Sequence, residues 1–102
     1  MPLIAIGDKK GTVKTNHPCD TTTTTEDCST TVFIRGVGVV RSGDKDSIHT
    51  YKVGDSCPPH QKSLTTFSNS VKADGKGVGR VGDSYSGEDI TNAGQESVLA
   101  GD

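Results

Sequence analysis

Tryptophan is absent from this 102-residue chain, aromatic residues make up only 4% of it, and hydrophobic residues of all kinds reach just 29%. An apolar core alone is therefore thin. A chain so placed stays disordered or takes help from disulfides, a structural metal or a partner. No apolar run approaches the roughly 20 residues of a membrane-spanning helix, and the opening MPLIAIGDKK lacks the basic-then-apolar layout of a secretory signal. Synthesis in the cytoplasm is the expectation. There is no excess of basic residues either: the formal net charge is -2, so nothing offers to neutralise phosphates and no nucleic-acid partner is expected. Cysteine is scarce and odd in number. Three thiols cannot all pair within one chain, which disfavours a disulfide scaffold and makes metal ligation the better use of at least one, although a Cys19 to Cys28 bridge stays open.

What the chain does have is internal repetition. The segment TVFIRGVGVVRSGD, from Thr31 to Asp44, aligns without gaps on SVKADGKGVGRVGD, from Ser70 to Asp83, at an offset of 39. Val32/Val71, Gly36/Gly75, Gly38/Gly77, Val39/Val78, Arg41/Arg80, Gly43/Gly82 and Asp44/Asp83 match. Each copy reads as two short strands around a glycine turn, closed by Gly-Asp. Gly-Asp recurs at Asp8 and Asp55, and the terminal ESVLAGD looks like a truncated hairpin start. These features predict a single all-β domain over residues 1–102, made of small hairpins that must pack around one another because none can bury a face alone. The threonine-rich stretch between Lys9 and Thr30 reads as an extended loop, residues 87–93 as a short turn, and no amphipathic helix is predicted. Arg41 and Arg80 are placed to pair with the turn aspartates Asp44 and Asp83.

All three histidines and all three cysteines fall between residues 17 and 60. The tightest element is Cys57-Pro58-Pro59-His60, whose Cys-x-x-His spacing lets both side chains reach one ion while the prolines stiffen the loop. With His17 and His49, Cys57 and His60 offer four nitrogen or sulfur ligands, the number a closed tetrahedral zinc site uses. Cys19 is the leading substitute for Cys57, and Cys28 the weakest candidate.

On IGD at residues 6–8, HPC at 17–19, VFIRGVGVVRSGD at 32–44, VGDSCPPH at 53–60 and GVGRVGD at 77–83, the chain resembles the PAAR family of spike-tip proteins. The resemblance spans nearly the whole sequence, although Val37 to Arg41 and Lys76 to Arg80 replace the literal Pro-Ala-Ala-Arg motif and keep only its arginine. It implies a conical domain of short hairpins in pseudo-threefold arrangement, stapled near its apex by Zn2+ on His17, His49, Cys57 and His60. It further implies a non-enzymatic tip that caps a trimeric β-helical spike, one tip per trimer, in a phage tail or type VI secretion machine. Such a tip would sit on a virion or injection-system spike and touch a target cell membrane transiently.

Two other classes compete with that reading. A small zinc hydrolase would need a general base, for which Glu26 and Asp27 are the nearest acids, yet no His-Glu-x-x-His spacing is present. A disulfide-bonded adhesin fragment fits poorly with an odd cysteine count.

Overall fold

The computed structural model describes residues 1–102, and the chain folds without helices into ten strands of two to five residues. Four of them, β1 (Thr12–Lys14), β2 (Thr22–Thr24), β9 (Ser84–Tyr85) and β10 (Glu88–Asn92), form an antiparallel sheet in the order β2-β1-β10-β9. The remainder are two-stranded hairpins: β3 (Phe33–Ile34) with β4 (Val37–Gly38), β5 (His49–Thr50) with β6 (Pro59–His60), and β7 (Lys72–Ala73) with β8 (Lys76–Gly77). The β3-β4 and β7-β8 hairpins are the two halves of the sequence repeat, and their turns fall at matching positions, with Gly36 at φ 79° and Gly75 at φ 77°. The molecule measures 42 × 24 × 23 Å, about twice as long as it is wide.

Its centre is a closed ring of main-chain hydrogen bonds joining residues 3–7, 38–42 and 77–81. Ala5 N–H donates to Gly79 O (2.9 Å), Gly79 N–H to Val40 O (2.8 Å), and Val40 N–H back to Ala5 O (3.0 Å). Two residues along each segment a second ring closes: Gly7 N–H to Gly38 O (2.9 Å), Ser42 N–H to Gly77 O (2.8 Å), and Val81 N–H to Leu3 O (3.0 Å). Because successive side chains of an extended segment point to opposite faces, the ring separates two small cores. Ile4, Val39 and Val78 face one side with Ala73 and Ala100; Ala5 and Val40 face the other with Val13, Leu64, Tyr85 and Ile90. Gly79 takes the third inward place, where Leu64 and Val40 already fill the space a side chain would need.

A polar side chain backs each segment. Ser29 Oγ accepts from the N–H groups of Thr31 and Val32, Ser68 Oγ from those of Ser70 and Val71, and Gln95 Oε1 from those of Ser97 and Val98. The carbonyls of Val32, Val71 and Val98 in turn accept from Val39, Val78 and Ile4. The segment from Gln95 to Asp102 together with the first eight residues thus builds a third unit equivalent to the two repeats. Its two strands come from opposite ends of the chain, joined by Ala100 N–H to Pro2 O (3.0 Å).

Arg41 and Arg80 clamp the turns that end the two repeats, each in a two-pronged pair. Arg41 donates from Nε and Nη2 to Asp44 (both 3.0 Å), and Arg80 does the same to Asp83 (2.8 and 3.1 Å). Asp44 and Asp83 are buried, so these are desolvated, geometrically specific bonds rather than loose surface contacts. The structure departs from the sequence reading in two segments. The stretch between Lys9 and Thr30, expected as a loop, carries both β1 and β2, which pair with each other while β1 also pairs with β10, a ladder that local sequence does not reveal; the turn expected at 87–93 is largely the strand β10.

Candidate metal centre

β5 and β6 pair in a register that sets His49 opposite His60, so both imidazoles leave the same face of one hairpin. Glu88 begins β10 and turns inward with Ile90, the period-two alternation of a strand placing Asp89 and Thr91 outside. His17 lies in the loop between β1 and β2. Asn16, held at a positive φ of 64°, anchors that loop to the sheet by donating to Gly87 O (2.8 Å) and Asp89 Oδ2 (3.0 Å). Asp20 anchors it to β5, accepting from the N–H (2.8 Å) and hydroxyl (2.9 Å) of Thr50.

The ring nitrogens of His17, His49 and His60 and a carboxylate oxygen of Glu88 consequently converge, all lying within 4.8 Å of one another. Glu88 Oε2 is 2.6 Å from His17 Nε2, 2.8 Å from His49 Nε2 and 3.1 Å from His60 Nε2. His60 Nε2 lies 2.7 Å from its counterpart on His49 and 3.2 Å from that on His17. The proton count identifies what the cluster lacks. His17 Nδ1 faces the carbonyl of Pro18 (3.1 Å) and His49 Nδ1 that of Ser47 (2.8 Å), so in neutral rings these nitrogens carry the protons and both Nε2 atoms present lone pairs. Three acceptors then meet with at most one N–H, from His60, to share. One cation could satisfy them together. Tetrahedral zinc with bonds of about 2.0–2.1 Å holds its ligand atoms roughly 3.3 Å apart, close to the spacing found here.

His49 and Glu88 are buried, and the side chains of His17 and His60 are about one-fifth exposed. The Tyr51 ring stacks on His60 at a centroid distance of 4.2 Å and limits its rotation. Burial and the neighbouring His49 and His17 lower the His60 pKa against the pull of Glu88, keeping the ring in the neutral form that binds metals. Behind Glu88 stands Asp46, fully buried, whose Oδ1 accepts from Lys62 N–H (2.9 Å). Asp46 Oδ2 and Glu88 Oε1 are buried without a hydrogen-bond partner. Burial first, and then hydrogen bonding to Glu88, raise the Asp46 pKa to about 8. Burial acts the same way on Glu88, but its contacts with Asp46 first, and then with His49 and His17, outweigh it and lower its pKa to about 2. Burial therefore favours the neutral form at Asp46, while Glu88 keeps its charge for the cluster.

Three of the four ligands expected from the sequence, His17, His49 and His60, come together here. The fourth does not. Cys57 forms a disulfide with Cys19, which removes both from the ligand set, and Glu88 occupies the place assigned to a thiolate. Cys28 is free and not among the converging ligands, its thiol pKa raised chiefly by burial. Glu26 and Asp27 are likewise outside it, accepting from Ser47 Oγ (3.0 Å) and Lys45 N–H (3.3 Å). A scan against protein-family models finds no match for the chain, and no curated protein matches it significantly.

Proposed function

We propose that the chain is a PAAR-type spike tip, a non-enzymatic cone with near-threefold symmetry that caps a trimeric β-helical spike of a contractile injection machine. The observation that carries this reading is the double ring of hydrogen bonds among residues 3–7, 38–42 and 77–81, with the third unit completed by the two chain ends. One chain that presents three equivalent segments around an axis suits the end of a homotrimer. Exposed apolar residues recur at equivalent places in the units, Val32 and Phe33 in the first and Val98 and Leu99 in the third, as a surface awaiting a partner would have them. Ile48, just before β5, and Val53, in the β5-β6 connection, are also exposed on the hairpin that carries His49 and His60, and would meet the target membrane.

In this reading the His17, His49, His60 and Glu88 group holds one structural Zn2+ toward the apex. Four protein ligands fill a tetrahedral ion and leave no position for a catalytic water. The ion would tie the β5-β6 hairpin and the His17 loop to β10, where a small core cannot resist load. The same fold serves a phage tail spike or a type VI secretion spike. Native mass spectrometry of the chain mixed with a trimeric β-helical spike protein from the same genome tests the assignment. One chain per trimer is expected; three per trimer, or no complex, would refute it.

A further inference from the structure

The four converging ligands are held in two different ways. His49, His60 and Glu88 sit on paired strands, whereas His17 stands in the loop after β1, two residues before Cys19, with Cys57 in the β5-β6 connection three residues ahead of His60. The Cys19–Cys57 bond links those two segments directly, beside an isolated bridge between Cys19 and Tyr51. Residues 52–57 are exposed throughout, and their internal bonding is confined to the reciprocal pair between Val53 and Ser56. Cys19 is exposed as well. The covalent link that positions the less buried half of the site is therefore open to thiols in solution.

We propose that the metal centre is gated by this disulfide: the Cys19–Cys57 bond holds the His17 loop against the β5-β6 hairpin in ligand geometry, and its reduction lets the ion go. The inference rests on the metal reading given above. In the reduction a dithiol gives two electrons and two protons, its own sulfurs join, and Cys19 and Cys57 become thiols. Once freed, the exposed β5-β6 connection no longer holds the loop of Cys19, and His17 loses the covalent tether that sets it beside His60 and Glu88. Disulfides persist outside reducing compartments. The clamp would thus be open during synthesis in the cytoplasm and closed on a spike exposed to the exterior.

The test measures Co2+ and Zn2+ affinity of the full chain in three forms: disulfide-bonded, reduced with a water-soluble phosphine, and as the double variant Cys19→Ser/Cys57→Ser. The gate predicts tight binding in the first, and an affinity at least tenfold weaker, with faster release, in the other two. If the double variant does not fold, the reduced wild-type chain still decides. Equal affinities in oxidised and reduced protein overturn the gate. So does tighter binding on reduction, with a sulfur-to-cobalt charge-transfer band, since Cys57 would then be a ligand. Failure of the disulfide-bonded form to bind either ion overturns the metal reading itself, and the gate with it.

Discussion

Gly38 and Gly77 occupy matching places in the two repeats, and the ring makes the same demand on both. A Cβ on Gly38 would lie 1.9 Å from Ser29 O, and one on Gly77 would lie 2.2 Å from Ser68 O and 2.4 Å from Phe67 Cδ1. Ordinary contact needs about 3.5 Å, so each alanine must push main chain apart by more than about 1 Å. The groups that would move are those that close the ring, since Gly38 O accepts from Gly7 and Gly77 O from Ser42. Overpacking of this kind costs about 1–3 kcal/mol, and a strained or broken buried hydrogen bond adds about 1 kcal/mol. Gly38→Ala and Gly77→Ala should therefore each lose about 3 kcal/mol, a large part of the roughly 5–15 kcal/mol that stabilises a domain of this size. Gly36→Asn is the control, because its left-handed φ of 79° is one that asparagine tolerates and nothing lies within 4 Å of its Cβ position. It should cost less than about 1 kcal/mol. Urea unfolding of the three variants with saturating zinc measures the differences. If Gly38→Ala and Gly77→Ala prove no worse than Gly36→Asn, the three segments do not pack as described.

Chelation should lower the unfolding midpoint markedly, since structural zinc can supply on the order of 10 kcal/mol of folding energy, and Glu88→Ala should abolish that response; thermal scans with and without chelator report both. Reducing the Cys19–Cys57 bond frees a loop spanning 38 residues and should cost about 4 kcal/mol in metal-free protein, read by denaturant titration. Asp46, with its pKa raised from 3.8 to about 8, makes the folded metal-free chain bind one more proton than the unfolded chain across that interval. Stability should thus fall by about 1 kcal/mol as pH rises from about 7 to about 8, above the ordinary histidine range, and Asp46→Asn should flatten the slope.

Much of this architecture was legible in the residues. The repeat at Thr31 and Ser70 marked two hairpins, Arg41 and Arg80 met the aspartates their spacing suggested, and the crowding of histidines between residues 17 and 60 marked three members of the centre. Other features depend on contacts that no local pattern records. The third unit was veiled because its halves lie at opposite chain ends and Gln95 replaces the serine that backs the other two. Glu88 sits 28 residues beyond His60, in a segment whose glycine and serine suggested a turn. Its signal was alternation with Ile90, a charged residue in the inward phase of a strand. Cys57 carried the spacing of a ligand, but spacing along the chain says nothing of Cys19, which the loop after β1 brings beside it.

X-ray absorption at the zinc edge, on disulfide-bonded protein carrying one equivalent of the metal, reads the coordination sphere itself. Three histidine nitrogens and one carboxylate oxygen at about 2.0–2.2 Å, with no sulfur shell near 2.3 Å, is the predicted result, and it should be lost when Glu88 or any of the three histidines is replaced by alanine. A sulfur scatterer in the first shell, or zinc that binds unchanged after Glu88→Ala, would contradict the account.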